Sequence, residues 1–516
     1  MLNLSVLLEN SAQKYADKTA FTFMDSSLSF AQINGAANQV ANALVSLGIR
    51  PGDKIALSCF NLPYFPIIYN GILKAGATVV PLSVLLKADE IHYHLENSDA
   101  KAYFSFTGTE DLPMGQMGHE GFQKTEACEH FFMIMPKSDM PSTIEGVETL
   151  GTMMRGQSPI FDTVETKSSD TAVIIYTSGT TGRPKGAELT HSNLFANTVL
   201  SADLIDCKPE DTLLIVLPLF HIFAMTVMMN AGLYRGATSI LLPRFDAEGV
   251  LSLMHKHKVT IFAGVPTMYW GLNSYLDTNE FNISTIKSTL KTCASGGASL
   301  PVPVLEKFEK TFDLTILEGY GMSEGSPVVT FNQLDVGRKI GSVGTPVWGV
   351  QVKLVNEEGE EVPVGEKGEL LYKGHNVMKG YYKNPEATAR TIKNGWLHSG
   401  DIAVKDEDGF YFIVDRTKDM IIRGGLNVYP REVEEVMMKH PAVSMVAVIG
   451  VPDDEKGEEI KAFVLLNEGQ TTTEEELTEY TKGNIAAYKY PRIIEITKTL
   501  PTSATGKILK KELRKL

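Results

Sequence analysis

Residues 176–186 read Tyr-Thr-Ser-Gly-Thr-Thr-Gly-Arg-Pro-Lys-Gly and follow the apolar run 171–175. Gly179 and Gly182 permit sharp turns that expose backbone N–H groups. Thr177, Ser178, Thr180 and Thr181 bring hydroxyl donors, and Lys185 brings a positive charge. A strand running into such a loop suits the outer phosphates of a nucleotide. The loop is not a Walker A sequence, because its glycines are three apart and Lys185 stands between Pro184 and Gly186 rather than before a Ser or Thr. A plain surface turn would account for the glycines but not for four hydroxyls and a lysine beside them.

The elements that must hold this loop follow from length and pattern. A chain of 516 residues exceeds what one hydrophobic core supports, and 43% hydrophobic content can supply at least two. Up to about residue 335, strand-like runs alternate with amphipathic helical stretches, which predicts an α/β domain with largely parallel sheets. The runs 259–263 and 290–294 each end in a small-residue turn, at 264–267 and 295–299. Ligands of such sheets sit outside the carboxyl ends of the strands, so these turns, 176–186 and 318–324 are expected to converge on one crevice. Between 336 and 415 the pattern changes to hairpins, which predicts a small β subdomain. After 415–419 comes an α+β unit of about a hundred residues, with a Pro-initiated helix at 430–439, strands at 443–451 and 460–466, and an acidic helix at 473–480. The expected division is therefore a large N-terminal domain, 1–416, containing the β subdomain 336–415, and a mobile C-terminal domain, 417–516.

Composition removes several classes. With 48 basic and 62 acidic residues the net charge is −14, which argues against a nucleic-acid partner and leaves any anionic ligand to a local site. Cys59, Cys128, Cys207 and Cys293 form no C-x-x-C pair, so neither zinc nor disulfides are indicated and a reducing cytoplasm fits. Residues 1–10 lack a basic n-region and read as an amphipathic helix. Residues 212–234 carry no Asp, Glu, Lys or Arg, but Pro218, His221 and Asn230 interrupt them, and a buried strand followed by an apolar, Met-rich helix explains the run better than a membrane span. No transmembrane segment is expected, with room left for weak peripheral membrane contact, and the expected assembly is a monomer or homodimer. The final Arg514, Lys515 and Leu516 lack the small first residue of a peroxisomal signal.

With residues 262–269, 295–299, 317–321 and 424–431 added to the phosphate loop, the chain resembles the adenylate-forming superfamily over nearly its whole length. That superfamily contains acyl-CoA synthetases, adenylation domains of peptide synthetases and beetle luciferases, and the likeness is strongest to bacterial fatty-acid (long-chain) acyl-CoA ligases. The resemblance implies roles for particular residues. Thr177, Ser178, Gly179, Thr180, Thr181, Gly182 and Lys185 would handle phosphates. Gly297, Ala298, Glu318, Gly319, Tyr320, Gly321, Met322 and Ser323 would complete the ATP/AMP site, with Tyr320 near adenine and Ser323, where the family usually has threonine, reaching the α-phosphate. Glu324 with Thr177 would hold Mg²⁺, for which a carboxylate is a suitable hard ligand. Asp401, with Ser399 in place of the usual threonine, and Arg416 would take the ribose. His221 would stand at the mouth of an acyl pocket formed with Ile222, Phe223, Gly264, Val265, Thr267, Gly296 and Val328. Gly424 and Gly425 would meet coenzyme A, Lys418 would be the hinge, and Lys507 would bridge the two anions that react. Alone, Asp401 would read as a solvated turn residue and His221 as a core histidine; Lys510, Lys511, Arg514 and Lys515 read as a basic helix end.

The implied cofactors are ATP, Mg²⁺ and coenzyme A. The implied reaction activates a medium- or long-chain fatty acid as acyl-AMP, then transfers the acyl group to coenzyme A with release of AMP and pyrophosphate. An aryl-acid (coumarate-like) CoA ligase, or another stand-alone acid-adenylating enzyme, is the alternative. A luciferase-like oxygenase would share the adenylation residues. An amino-acid enzyme would need a buried carboxylate that residues 222–225 and 328 do not offer, and a silent lipid-binding or scaffold protein would not need Lys507, Glu324 and Asp401 together.

Overall fold

The fold was obtained as a computed structural model, which describes residues 1–177, 183–416, 419–453 and 455–516. Ser178, Gly179, Thr180, Thr181, Gly182 and Lys418 lie outside the described residues. Among the described residues the strands form four sheets. A nine-stranded sheet runs in the order Thr345–Pro346, Val328–Phe331, Ile316–Gly321, Thr292–Ser295, Ile261–Gly264, Thr212–Ile215, Thr238–Leu241, Thr19–Phe23 and Ser26–Ser29. Its central strands, 212–215, 261–264, 292–295 and 316–321, are parallel neighbours. Their near-continuous apolar runs are what a sheet covered on both faces requires. As the alternation predicts, Gly264, Ser295 and Gly321 all stand at carboxyl ends of strands, and the turns after them face one crevice.

The seven-stranded sheet has the order Gly380–Tyr381, Lys185–Thr190, Thr171–Thr177, Thr78–Pro81, Lys54–Ser58, Ala100–Phe106 and His130–Ile134. Two pairings go beyond the sequence expectation. Thr171–Thr177, the strand expected before the phosphate loop, pairs antiparallel with Lys185–Thr190, Thr177 opposite Lys185, so the residues on both sides of 178–182 are fixed to the sheet. And Gly380–Tyr381, inside the stretch expected to be β subdomain, leaves that subdomain and pairs with Lys185–Thr190. The subdomain sheet itself comprises Val350–Val355, Lys367–Gly374, Trp396–Lys405, Ile392–Lys393 and Tyr411–Arg416.

The fourth sheet, Leu426–Val428, Ile421–Arg423, Gly457–Leu466 and Val443–Asp453 with Ile493–Thr497 alongside, packs on helices Pro430–Met437 and Glu474–Asn484. Helix Glu474–Asn484 starts with a capping box in which Thr473 and Glu476 satisfy each other's free amides. The N-terminal helix runs Val6–Lys14, later than residues 1–10 suggest. The uncharged run 212–234 splits into strand Thr212–Ile215 and a wide-turned helix Ala224–Asn230, and no helix among the described residues is long and apolar enough to cross a membrane. Lys510 and Lys511 stand on the short terminal helix Lys510–Leu513, as the basic helix end predicts, and Lys510 also pairs with Glu434 at 2.8 Å and Arg514 with Asp419 at 2.8 Å, which ties this end to the rest of the C-terminal unit.

Candidate active site

Glu324 sits in a short turn, Ser323–Gly325, just past strand Ile316–Gly321, and is only 6% exposed. Its Oε1 accepts from the Tyr381 hydroxyl at 2.8 Å and lies 3.2 Å from Thr177 Oγ1. The Tyr381 ring also lies under Lys185, whose Nζ is 4.3 Å from the ring centroid. One tyrosine thus joins the end of the phosphate hairpin to the buried carboxylate. Sequence reasoning missed Tyr381, and the only signal was its position in Gly380-Tyr381-Tyr382, which reads as ordinary β subdomain. The carboxylate and hydroxyl of Glu324 and Thr177 suit Mg²⁺. No cluster of three or more His, Cys, Asp or Glu side chains able to hold a metal occurs among the described residues, so such an ion would draw its other ligands from phosphate and water, its usual habit.

Asp401 and Arg416 are register partners on adjacent strands. Asp401 is buried, its Oδ2 accepting from the Tyr320 hydroxyl at 2.5 Å and its Oδ1 from Arg416 Nε at 3.2 Å. Ser399 accepts the Asp401 amide N–H at 3.0 Å and donates to the Leu370 carbonyl, so serine suffices where the resemblance has threonine. Burial and the Asp401 charge raise the Tyr320 phenol well above its usual range, which keeps it a donor. Glu318 is turned inward. Its Oε1 accepts from Leu300 N–H at 3.0 Å, bracing the loop of Gly296, Gly297 and Ala298, and burial pushes its carboxyl up to about 7. Gly319 and Gly321 are packed so closely that an added Cβ would lie 2.4 Å from the Phe331 ring and 2.0 Å from the Pro327 carbonyl oxygen, respectively. The Met322 amide donates to that same carbonyl.

Lys507 is carried into this crevice by the turn after Thr505. A Cβ built on Gly297 would lie 3.1 Å from Lys507 Cε, and the Gly506 carbonyl accepts from Thr267 Oγ1 at 3.0 Å. Gly506 has φ +79°, and a Cβ there would meet Thr267 Oγ1 at 2.7 Å, so glycine is what lets this turn dock. Burial, then the Arg416 charge, lowers the Lys507 ammonium to about 8, with Asp401 opposing. His221 is lowered to about 3 by burial and by Lys507; its Nδ1 accepts from the Phe223 amide at 3.3 Å. Ile222, Val265 and Val328 are buried, Gly264 is packed against Phe262 and Tyr269, and Gly296 against Phe223. Gly424 and Gly425 form the turn between Ile421–Arg423 and Leu426–Val428, with Gly424 N–H bonded to the Lys456 carbonyl. Trp270 Nε1 donates to Ser444 Oγ at 2.8 Å, a second tie between the two parts of the chain.

Fold and site together are those of enzymes that activate carboxylic acids as adenylates. Residues 8–382 match the AMP-binding enzyme family and 432–507 the AMP-binding enzyme C-terminal domain, and the chain belongs to that family. It is 37% identical to a long-chain-fatty-acid–CoA ligase of Bacillus subtilis (strain 168), over 99% of this chain and 94% of that one. It is 36% identical to a feruloyl-CoA synthase of an Amycolatopsis species, over 96% and 95%. The crystal structure of an anthranilate CoA ligase in complex with anthranoyl-AMP superposes with a TM-score of 0.91 at 31% identity, covering 99% of this chain and 96% of that one. The protein is an acyl-CoA ligase: with ATP and Mg²⁺ it converts an acid to its adenylate, then passes the acyl group to coenzyme A.

Proposed function

We propose that the acid is a fatty acid of medium or long chain. The observation that carries this reading is the apolar, Met-rich surroundings of His221 in the chain: Leu219 and Ile222 beside it, and Met225, Val227, Met228 and Met229 in the wide-turned helix Ala224–Asn230 that follows, are all at most 2% exposed. Methionine side chains adapt to a flexible apolar chain, and each buried methylene contributes about 0.8 kcal/mol. The likeness to the Bacillus subtilis ligase supports it. An aryl acid is the second reading, favoured by the likeness to the feruloyl-CoA synthase and the anthranilate ligase. A pyrophosphate-release screen over straight-chain, branched and aryl acids decides between them. The highest kcat/KM is expected for medium or long straight chains, and a preference for cinnamate- or benzoate-type acids would reverse the assignment.

In the first step a substrate carboxylate oxygen bonds to the α-phosphorus in line while the bond to the β-phosphate oxygen breaks. Lys507 bridges the two anions. At about 4 Å and an effective dielectric of about 20 a unit charge contributes about 4 kcal/mol per neighbour. Thr177 and Lys185 hold the outer phosphates, and Tyr320 fixes Asp401 for the ribose. Glu324 and Thr177 would hold Mg²⁺, which when bound would neutralise charge on the departing phosphates. No general base is required. In the second step the coenzyme A sulfur bonds to the acyl carbon, the thiol proton goes to solvent, and the C–O bond to AMP breaks; Gly424 and Gly425 then flank the pantetheine path.

Lys507 gives this scheme a pH signature. Its cation is the working form and its free-enzyme value is lowered to about 8, so kcat/KM for adenylation should fall tenfold per pH unit above about 8. His221, held neutral down to about 3, adds no acid limb between pH 5 and 7. A profile flat to pH 10 would count against Lys507 as the bridging group.

A further inference from the structure

We propose that the leaving pyrophosphate is received by a second anion subsite behind the phosphate hairpin. A cavity of about 310 Å³ there is lined, among the described residues, by ten that include Arg183, Lys185, Lys383 and Arg390 and not one carboxylate. Four cations together stand out on a chain of net charge −14, whose overall field repels a polyanion. They come from separate places: Arg183 and Lys185 from the hairpin, Lys383 from the turn after Gly380–Tyr381, and Arg390 from helix Pro385–Thr391.

Lys185 links the lining of the cavity to the reaction centre. That lysine lines the cavity, pairs in register with Thr177, and lies over the Tyr381 ring whose hydroxyl bonds Glu324. Arg183 is stacked 5.3 Å from the Tyr93 ring centroid, and the Tyr93 hydroxyl donates to the Pro184 carbonyl at 2.7 Å, which fixes the wall. Lys383 bonds Asp99 at 2.7 Å and Arg390 is 3.8 Å from Glu386, but neither acid lines the cavity. Both partners of the Arg390 pair are largely exposed, so that pairing is weak and the guanidinium can turn to a ligand.

Pyrophosphate has to leave before the adenylate meets coenzyme A, or the first step reverses. A cationic chamber one lysine away from the carboxylate that would hold the metal draws it off on the side of the hairpin. The inference rests on the proposed placement of the outer phosphates along Thr177 and Lys185.

The same cations could instead hold the 3′-phosphate of coenzyme A, so the experiment has two arms. Titration of the full-length enzyme with pyrophosphate and Mg²⁺ should reveal two sites per chain, and the Lys383→Asn/Arg390→Gln variant should keep one, with product inhibition by pyrophosphate weakened about tenfold. Asn suits the left-handed φ of +52° at position 383, and Arg390→Lys should restore the second site if the double variant proves unstable. KM for ATP should not change. A single site in both proteins overturns the proposal. So does a variant whose KM rises for coenzyme A but not for coenzyme A lacking its 3′-phosphate. Thr177→Val, at a residue that does not line the cavity, separates the two levels: it should weaken the inner site alone, and if it leaves that site unchanged the phosphate placement fails, whatever the titration shows of the second site.

Discussion

Lys507→Ala should slow adenylate formation by about a hundred- to a thousandfold and leave conversion of supplied acyl-AMP to acyl-CoA within a few-fold of the parent. The asymmetry follows from what each step asks of a cation. In the first, a carboxylate must approach a phosphate of like charge in a crevice where water is scarce, and an ammonium held between them offsets the repulsion at the moment it peaks. In the second, a thiol meets a carbonyl whose charge is already masked by AMP. The ammonium is held by features that leave little slack: a side chain at position 297 would crowd it, and Gly506 turns at φ +79° onto Thr267. Lys507→Arg should therefore fail almost as badly as alanine, since a guanidinium is bulkier and the space beside Gly297 is so small that even an added Cβ there would lie 3.1 Å from Lys507 Cε. Single-turnover measurement of both half-reactions checks this, and equal losses in the two would sink the assignment of Lys507 to the first.

The parts of this site that follow from local sequence were legible in it. Gly264, the 295–299 turn and the 318–324 turn end apolar runs, and parallel strands put such turns on one edge. Asp401 and Lys507 became legible only as members of a series. What sequence could not give depends on pairings made far along the chain. Tyr381 reaches Glu324 because two residues of a hairpin-rich stretch leave their own sheet for the strand Lys185–Thr190. Nothing in Gly380-Tyr381-Tyr382 announces the change of partner. Lys510 reads correctly as a helix-end cation because helix position is visible in sequence, whereas its pairing with Glu434 across the unit is not. Glu318, matched to the nucleotide site by its motif, turns out to brace the neighbouring loop through the Leu300 amide. The hairpin at 171–190 was hidden for a related reason: Lys185–Thr190 is buried at four of six positions and has no clean alternation to mark it as a strand.

Glu324→Gln tests the other end of the reacting group. The amide oxygen can still accept from Tyr381 and Thr177, so the turn Ser323–Gly325 should hold and thermal stability should change little. The lost charge is another matter. A neutral oxygen is a poor ligand for Mg²⁺, and the departing pyrophosphate loses the ion that would offset its charge. Adenylation should fall by about a hundred- to a thousandfold, with the Mg²⁺ concentration for half-maximal rate raised about tenfold, while thioester formation from supplied acyl-AMP, which involves no pyrophosphate, should persist. Tyr381→Phe should produce a milder version, about tenfold in adenylation, because one hydrogen bond to a charged acceptor is lost while the ring under Lys185 remains. Binding of Mn²⁺–ATP followed by electron paramagnetic resonance reads the metal independently of turnover. If the Glu324→Gln enzyme bound Mn²⁺–ATP as tightly as the parent does, the carboxylate would not be a metal ligand, and the joint hold of Thr177 and Tyr381 on it would be a structural clamp alone.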